Sequence, residues 1–154
     1  MMIEKKFSAD EISHLLGLEP LPLEGGLYTQ TLKKAESTAI YYLLSDGDFS
    51  AMHRLKSVEI YHHYAGAPVK MLLLHPDGQI SEPLLGSNFS KGERPQLIVE
   101  EGVWQGSSTL GSWSLMGTTM SPPYEDEMFE LAKREELLNK WTKATRRIHE
   151  LTRV

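Results

Sequence analysis

A chain of 154 residues can bury roughly 70% of the surface its unfolded form exposes, enough for one core and not for two. Its 40% apolar and 24% charged residues are ordinary for a globular protein, and no run of about 18 apolar residues exists to form a membrane-spanning helix. The absence of cysteine excludes disulfides, thiolate metal sites and thiol nucleophiles, and a formal charge of -5 works against a nucleic-acid partner.

The first segment, Met1 to Phe7, carries two lysines but no following apolar stretch of the kind a secretory signal needs, so a cytoplasmic protein is expected. Ser8-Ala9-Asp10-Glu11 has capping-box spacing, and Ile12, Leu15 and Leu16 share one face; the spacing predicts a helix over about 9–16. Gly17 is a suitable stop, Pro20 and Pro22 oppose continuation, and Gly25-Gly26 reads as the entry turn into a first strand.

Eight short β-prone runs follow: Leu27–Leu32, Thr38–Leu44, Phe49–Leu55, Glu59–Tyr64, Val69–Leu74, Gln96–Val99, Val103–Ser107 and Trp113–Thr118. Ser45-Asp46-Gly47-Asp48 and His75-Pro76-Asp77-Gly78 are turns, because Asp caps locally, Pro presets φ and Gly accepts positive φ. Many short strands at this spacing imply a sandwich or barrel, over about 24–120. After Pro122-Pro123 the period becomes helical, and Leu137, Trp141, Ala144, Ile148 and Leu151 form an apolar stripe within a helical segment of about 125–152. Acidic residues load the start of that segment and basic ones its end, which suits the dipole of one helix. The stripe should pack on the barrel or on another subunit, and nothing marks a second domain, so 1–154 reads as one unit.

The segment Gly47 to Gly66 carries the densest chemistry. Along a strand, side chains alternate faces, so His53, Leu55, Glu59, Tyr61 and His63 share a parity and could line one inner wall if the intervening turn keeps register. Imidazole and carboxylate together can bind a divalent metal, act as a base with its orienting partner, or form a hydrogen-bonded polar pair. Trp104 could stack on a ring-shaped ligand, whereas Trp113 reads as core. Arg94 and Lys56 read as solvated loop cations or as anion contacts.

Gly47, His53, Glu59 and Gly66 fall on the first cupin motif, which this segment resembles; the motif's second histidine is replaced by Leu55. The second cupin motif is approached at Glu100 to Thr109, where Gly102 keeps its place and Gln105 stands for the last metal-binding histidine. Glu24-Gly25-Gly26, His53 to Ser57, Leu72 to Gly78, Gly92 to Gln96 and Gly102 to Gln105 further resemble recurrent blocks of cupin family five. The resemblance implies a mainly β, double-stranded β-helix (jelly-roll) barrel flanked by a short N-terminal and a C-terminal helix. It also implies a homodimer with a small-molecule pocket.

With two of four usual ligands substituted, no standard metal site is expected, and a glutamine oxygen is a weak substitute for imidazole toward Fe, Ni or Zn. The leading reading is a metal-independent binding pocket in which His53, Glu59, His63 and Gln105 contact a sugar-like, nucleoside-like or organic-acid ligand. A sugar-nucleotide-type epimerase or isomerase, with His53 as general base and Tyr61 as acid beside Glu59, is the first alternative. A divalent-metal-dependent cupin enzyme is the second.

Overall fold

Strand pairing dominates the computed structural model, which describes residues 6–153. Met1 to Lys5, where the absence of a leader was read, lie outside the described residues. Helix α1 (Ala9–Leu16) forms where the sequence predicts it. Ser8 Oγ accepts from the Glu11 amide at 3.1 Å, the Glu11 carboxylate accepts from the Ser8 amide at 3.2 Å, and Gly17 ends the helix at φ +65°.

The strands are β1 (Glu19–Pro20), β2 (Leu27–Lys33), β3 (Thr38–Ser45), β4 (Ser50–Arg54), β5 (Glu59–Gly66), β6 (Val69–Leu74), β7 (Ile80–Ser81), β8 (Leu84–Leu85), β9 (Gln96–Val99), β10 (Trp104–Thr109), β11 (Trp113–Met120) and β12 (Glu130–Leu131). All eight expected strands are present. The four further ones, β1, β7, β8 and β12, span two residues each, too short for a period of two to show in sequence.

One antiparallel sheet has the order β1-β2-β3-β11-β5-β9; the other has β12-β4-β10-β6-β7, with β8 also on β6. From β3 to β6, and again from β9 to β11, successive strands alternate between the two sheets. This interleaving is the jelly-roll arrangement, which buries two inner faces against each other. Tyr42 and Leu44 of β3, Tyr61 of β5, Met116 of β11 and the Val69, Met71 and Leu73 set of β6 fill one end of that space.

The outer face of the second sheet carries Met52, Leu72, Leu74 and Trp104, and the C-terminal stripe covers it. Here the structure corrects two expectations. The expected single helical segment over about 125–152 is instead a 3-10 turn (Asp126–Met128), β12, α2 (Arg134–Lys140), a second 3-10 turn (Thr142–Ala144) and α3 (Thr145–Glu150). The break falls at Trp141, whose ring enters the apolar cluster while its indole N–H donates to the His75 carbonyl at 3.1 Å. Trp104 is buried beneath these helices with the Arg54 guanidinium 4.3 Å above its ring, so it does not face the barrel interior.

The charge gradient also has a different use. Arg134 near the start of α2 donates to the Thr152 hydroxyl and carbonyl, and Arg147 of α3 reaches the Lys70 carbonyl at 2.8 Å, tying the helices to each other and to the sheet. Among the described residues no helix is long and apolar enough to cross a membrane.

Candidate functional site

The loop entering β2 places a carboxylate at the barrel mouth by a sequence of unusual backbone conformations. Leu23, Gly25 and Gly26 all have positive φ, at +68°, +97° and +77°. At Gly26 a Cβ would lie 2.6 Å from the Tyr42 ring, so only glycine allows the turn and the contact together. The Tyr42 hydroxyl donates to the Gly25 carbonyl at 2.6 Å, and Asp48 accepts from the Gly26 amide at 2.9 Å. Arg153 donates to the Glu24 carbonyl and to Asp48, both at 2.8 Å. Held this way, the Glu24 carboxylate accepts from Ser50 Oγ at 2.9 Å and faces His53 Nε2 at 3.5 Å.

His53, on β4, is 1% exposed, and its Nδ1–H donates to the Ala51 carbonyl at 2.7 Å. With Nδ1 the donor, the Nε2 that faces Glu24 is bare in the neutral ring, which sets acceptor against acceptor; a proton on Nε2 or on the carboxyl relieves this. Phe129 stacks on the imidazole with ring centroids 5.2 Å apart and closes it from the cavity side.

Gln105 of β10 pairs directly with His53 of β4 and points inward beside it. Both ends of its amide are used: the oxygen accepts from the Tyr61 hydroxyl at 2.6 Å, and Nε2 donates to Glu59 Oε1 at 3.1 Å. Glu59 is 7% exposed. Burial pushes its ionisation above the ordinary carboxylate range and the nearby Glu24 charge adds to this, against smaller opposing effects of His53, Thr118 and Tyr61. Burial, first, and the Glu59 and Glu24 charges, second, push the Tyr61 phenol well up as well. Tyr61 is therefore a neutral donor at physiological pH.

These groups surround a cavity of about 630 Å³, whose wall includes Glu24, Tyr42, Glu59, Tyr61, Thr118 and Phe129. Leu55 also lines it, at the position where the cupin motif has a second histidine. His53 and Gln105 stand one layer behind, reaching the space through Glu24 and through Glu59 and Tyr61. His63 lies elsewhere: β5 bulges against β11 at Tyr64, and His63 donates through Nε2 to the Ala67 carbonyl at 3.0 Å, outside the cavity lining. Shared strand parity thus holds for His53, Leu55, Glu59 and Tyr61, but the cavity ends before His63.

The donor set does not fit a divalent transition metal. The histidine is committed at Nδ1 and keeps only Nε2, turned toward Glu24 at 3.5 Å, the amide of Gln105 is committed at both ends, and a leucine occupies the third position. Among the described residues no three His, Cys, Asp or Glu side chains form a metal-holding group.

Sequence reasoning missed Glu24, Tyr42, Thr118, Tyr124 and Phe129. Glu24 had one signal, its place in the Glu24-Gly25-Gly26 block; the others come from separate strands and from the segment after Pro123, and carry no local motif.

Two interleaved antiparallel sheets around a polar-walled cavity are the double-stranded β-helix of the cupin class. Residues 10–132 match the family model described as Cupin superfamily (DUF985), and the chain belongs to that family. A crystal structure of a protein from Shewanella oneidensis is similar with a TM-score of 0.89 and 30% identity, covering 96% of this chain and 99% of that one. A hypothetical protein from Leishmania major has the same fold, with a TM-score of 0.89, 24% identity and coverage of 96% and 100%. An uncharacterised protein of Saccharomyces cerevisiae is 32% identical over 91 residues, 58% of this chain; the match spans 45% of the yeast protein.

Proposed function

We propose that this chain binds one small, hydroxyl-bearing molecule inside the barrel without a metal. The observation that carries this is the relay from Tyr61 through Gln105 to Glu59 at the wall of a cavity of about 630 Å³. Pockets for small molecules fall at about 300–1,000 Å³ and combine apolar walls with a few oriented polar groups. Glu59, Glu24, Thr118 and Tyr61 supply those groups, with His53 and Gln105 fixing their orientation. Calorimetric titration with aldoses, polyols, nucleosides and organic acids, against wild type and a Glu24→Gln/Glu59→Gln variant, tests the reading. A saturable heat that the variant loses is expected; no heat from any class would sink it.

A second reading is acid–base isomerisation of the same kind of molecule. It is favoured by two carboxyl groups in different surroundings, Glu59 pushed toward the protonated form and Glu24 beside an imidazole. One would remove a carbon-bound proton from an occupant and the other would return one to the neighbouring atom. His53 would act through Glu24, since Phe129 separates it from the cavity. A sugar nucleotide is a poor match for this wall, because a diphosphate needs several cationic donors and Lys33 is the one lysine or arginine lining the cavity among the described residues. Uptake of solvent deuterium into a bound aldose, lost in Glu59→Gln, would support isomerisation.

We further propose a homodimer formed through the outer face of the first sheet. Helices cover the second sheet, whereas Ile98 is 56% and Tyr64 is 52% exposed on the first.

A further inference from the structure

The ionisable groups lining the cavity are unbalanced. Glu24 and Glu59 lie within it, while the exposed Glu125 and Asp126 and the exposed Lys33 stand at its rim. Nearby cations are engaged elsewhere: Arg153 holds the Glu24 and Phe49 carbonyls and Asp48, and Arg54 pairs with Glu130 over Trp104. Glu59 accepts from the neutral Gln105 amide at 3.1 Å, and the nearest imidazole, His53, faces Glu24 at 3.5 Å from behind Phe129, outside the cavity lining. The remaining wall is aromatic, with Tyr28, Tyr42, Tyr61, Tyr124 and Phe129 around the carboxylates. Carboxylates set among aromatic rings are the surroundings that recognise an ammonium group, by ion pairing and by attraction to the ring faces.

We propose that the occupant of this cavity is cationic, a small hydroxylated amine whose ammonium sits between Glu24 and Glu59 against the tyrosine rings. This rests on the reading of the cavity as a small-molecule site. The state of the neighbouring groups is consistent with a missing positive charge: Glu59, Tyr42, Tyr61 and Tyr124 are all pushed toward their protonated forms, first by burial, and the Glu24 charge contributes in each case. A cation placed there offsets both the repulsion between the carboxylates and the desolvation of Glu59.

Three probes with one six-carbon skeleton, glucamine, sorbitol and gluconate, differ at the terminal group alone and are cationic, neutral and anionic at neutral pH. Their affinities can be read from amide and side-chain NMR shifts at Glu59, Tyr61 and Thr118 in the full-length protein. The expected order is glucamine, then sorbitol, then gluconate, with about tenfold between the first two, the scale of one ion pair in partly screened surroundings. In Glu24→Gln/Glu59→Gln, glucamine should lose that advantage while sorbitol changes less, with a native spectrum showing that the variant is folded. Sorbitol binding as tightly as glucamine, or gluconate binding best, would overturn the inference and leave the small-molecule reading standing. Shifts from none of the three, up to tens of millimolar, would overturn both.

Discussion

Glu59 shows how a single residue can be placed for chemistry at the expense of stability. Burial holds its carboxyl's ionisation in the folded chain above the ordinary range it has in the unfolded chain. Above the ordinary carboxylate range the folded state therefore holds more protons than the unfolded one, so stability falls as pH rises toward the shifted value and stays lower beyond it. Glu59→Gln, which keeps an oxygen for the Gln105 amide, should melt higher than wild type near pH 7, with the gap closing as pH falls below the ordinary carboxylate range. Melting curves at several pH values test this; a gap that persists in acid would contradict it. The alternation of side chains along a strand was enough to put Leu55, Glu59 and Tyr61 on one wall, with His53 directly behind it. It was not enough for His63, because the bulge against β11 and the end of the cavity depend on a partner strand more than 50 positions away.

At the scale of elements, local rules were strongest where the chain makes its own stabilising contacts. The capping box and Gly17 define α1 within a single turn at each end, and both appear in the structure as read. The C-terminal stripe was legible as apolar, but its division into α2 and α3 was not. Trp141 leaves the helix to donate to a carbonyl 66 positions earlier, a bond that no local pattern encodes. The stripe residues are fully buried against the outer face of the second sheet, Ile148 at 0% exposure. Ile148→Ala should lower stability by about 2–5 kcal/mol in urea denaturation, since the sheet beneath cannot collapse into the space left. A loss below about 0.5 kcal/mol would mean that the helices are not anchored there.

At the scale of the whole molecule, the two sheets have unequal covers. The second is protected by helices; the first exposes Ile98 on β9, its edge strand, and Tyr64 on β5. A homodimer over that face should appear in light scattering as about twice the 17.4 kDa chain mass. Ile98→Lys should return it to the monomer, by placing a charge in the interface core. A wild type that stays monomeric at high concentration would remove this proposal without touching the cavity.

The sequence by itself determined the kind of protein: turns and the first helix follow from contacts within a few residues, the longer strands from their apolar runs, and the motif residues carried the family resemblance. Several site residues were legible, but how they meet was decided by tertiary structure. Tyr61 and Glu59 meet Gln105 across 44 and 46 positions, and Glu24 reaches His53 only because Gly26, Tyr42, Asp48 and Arg153 bend and pin its loop. Interleaving of the two sheets brings these distant segments to one wall. Which residues face the cavity, and with what charge, depends on burial and on neighbours that exist only once the barrel has closed.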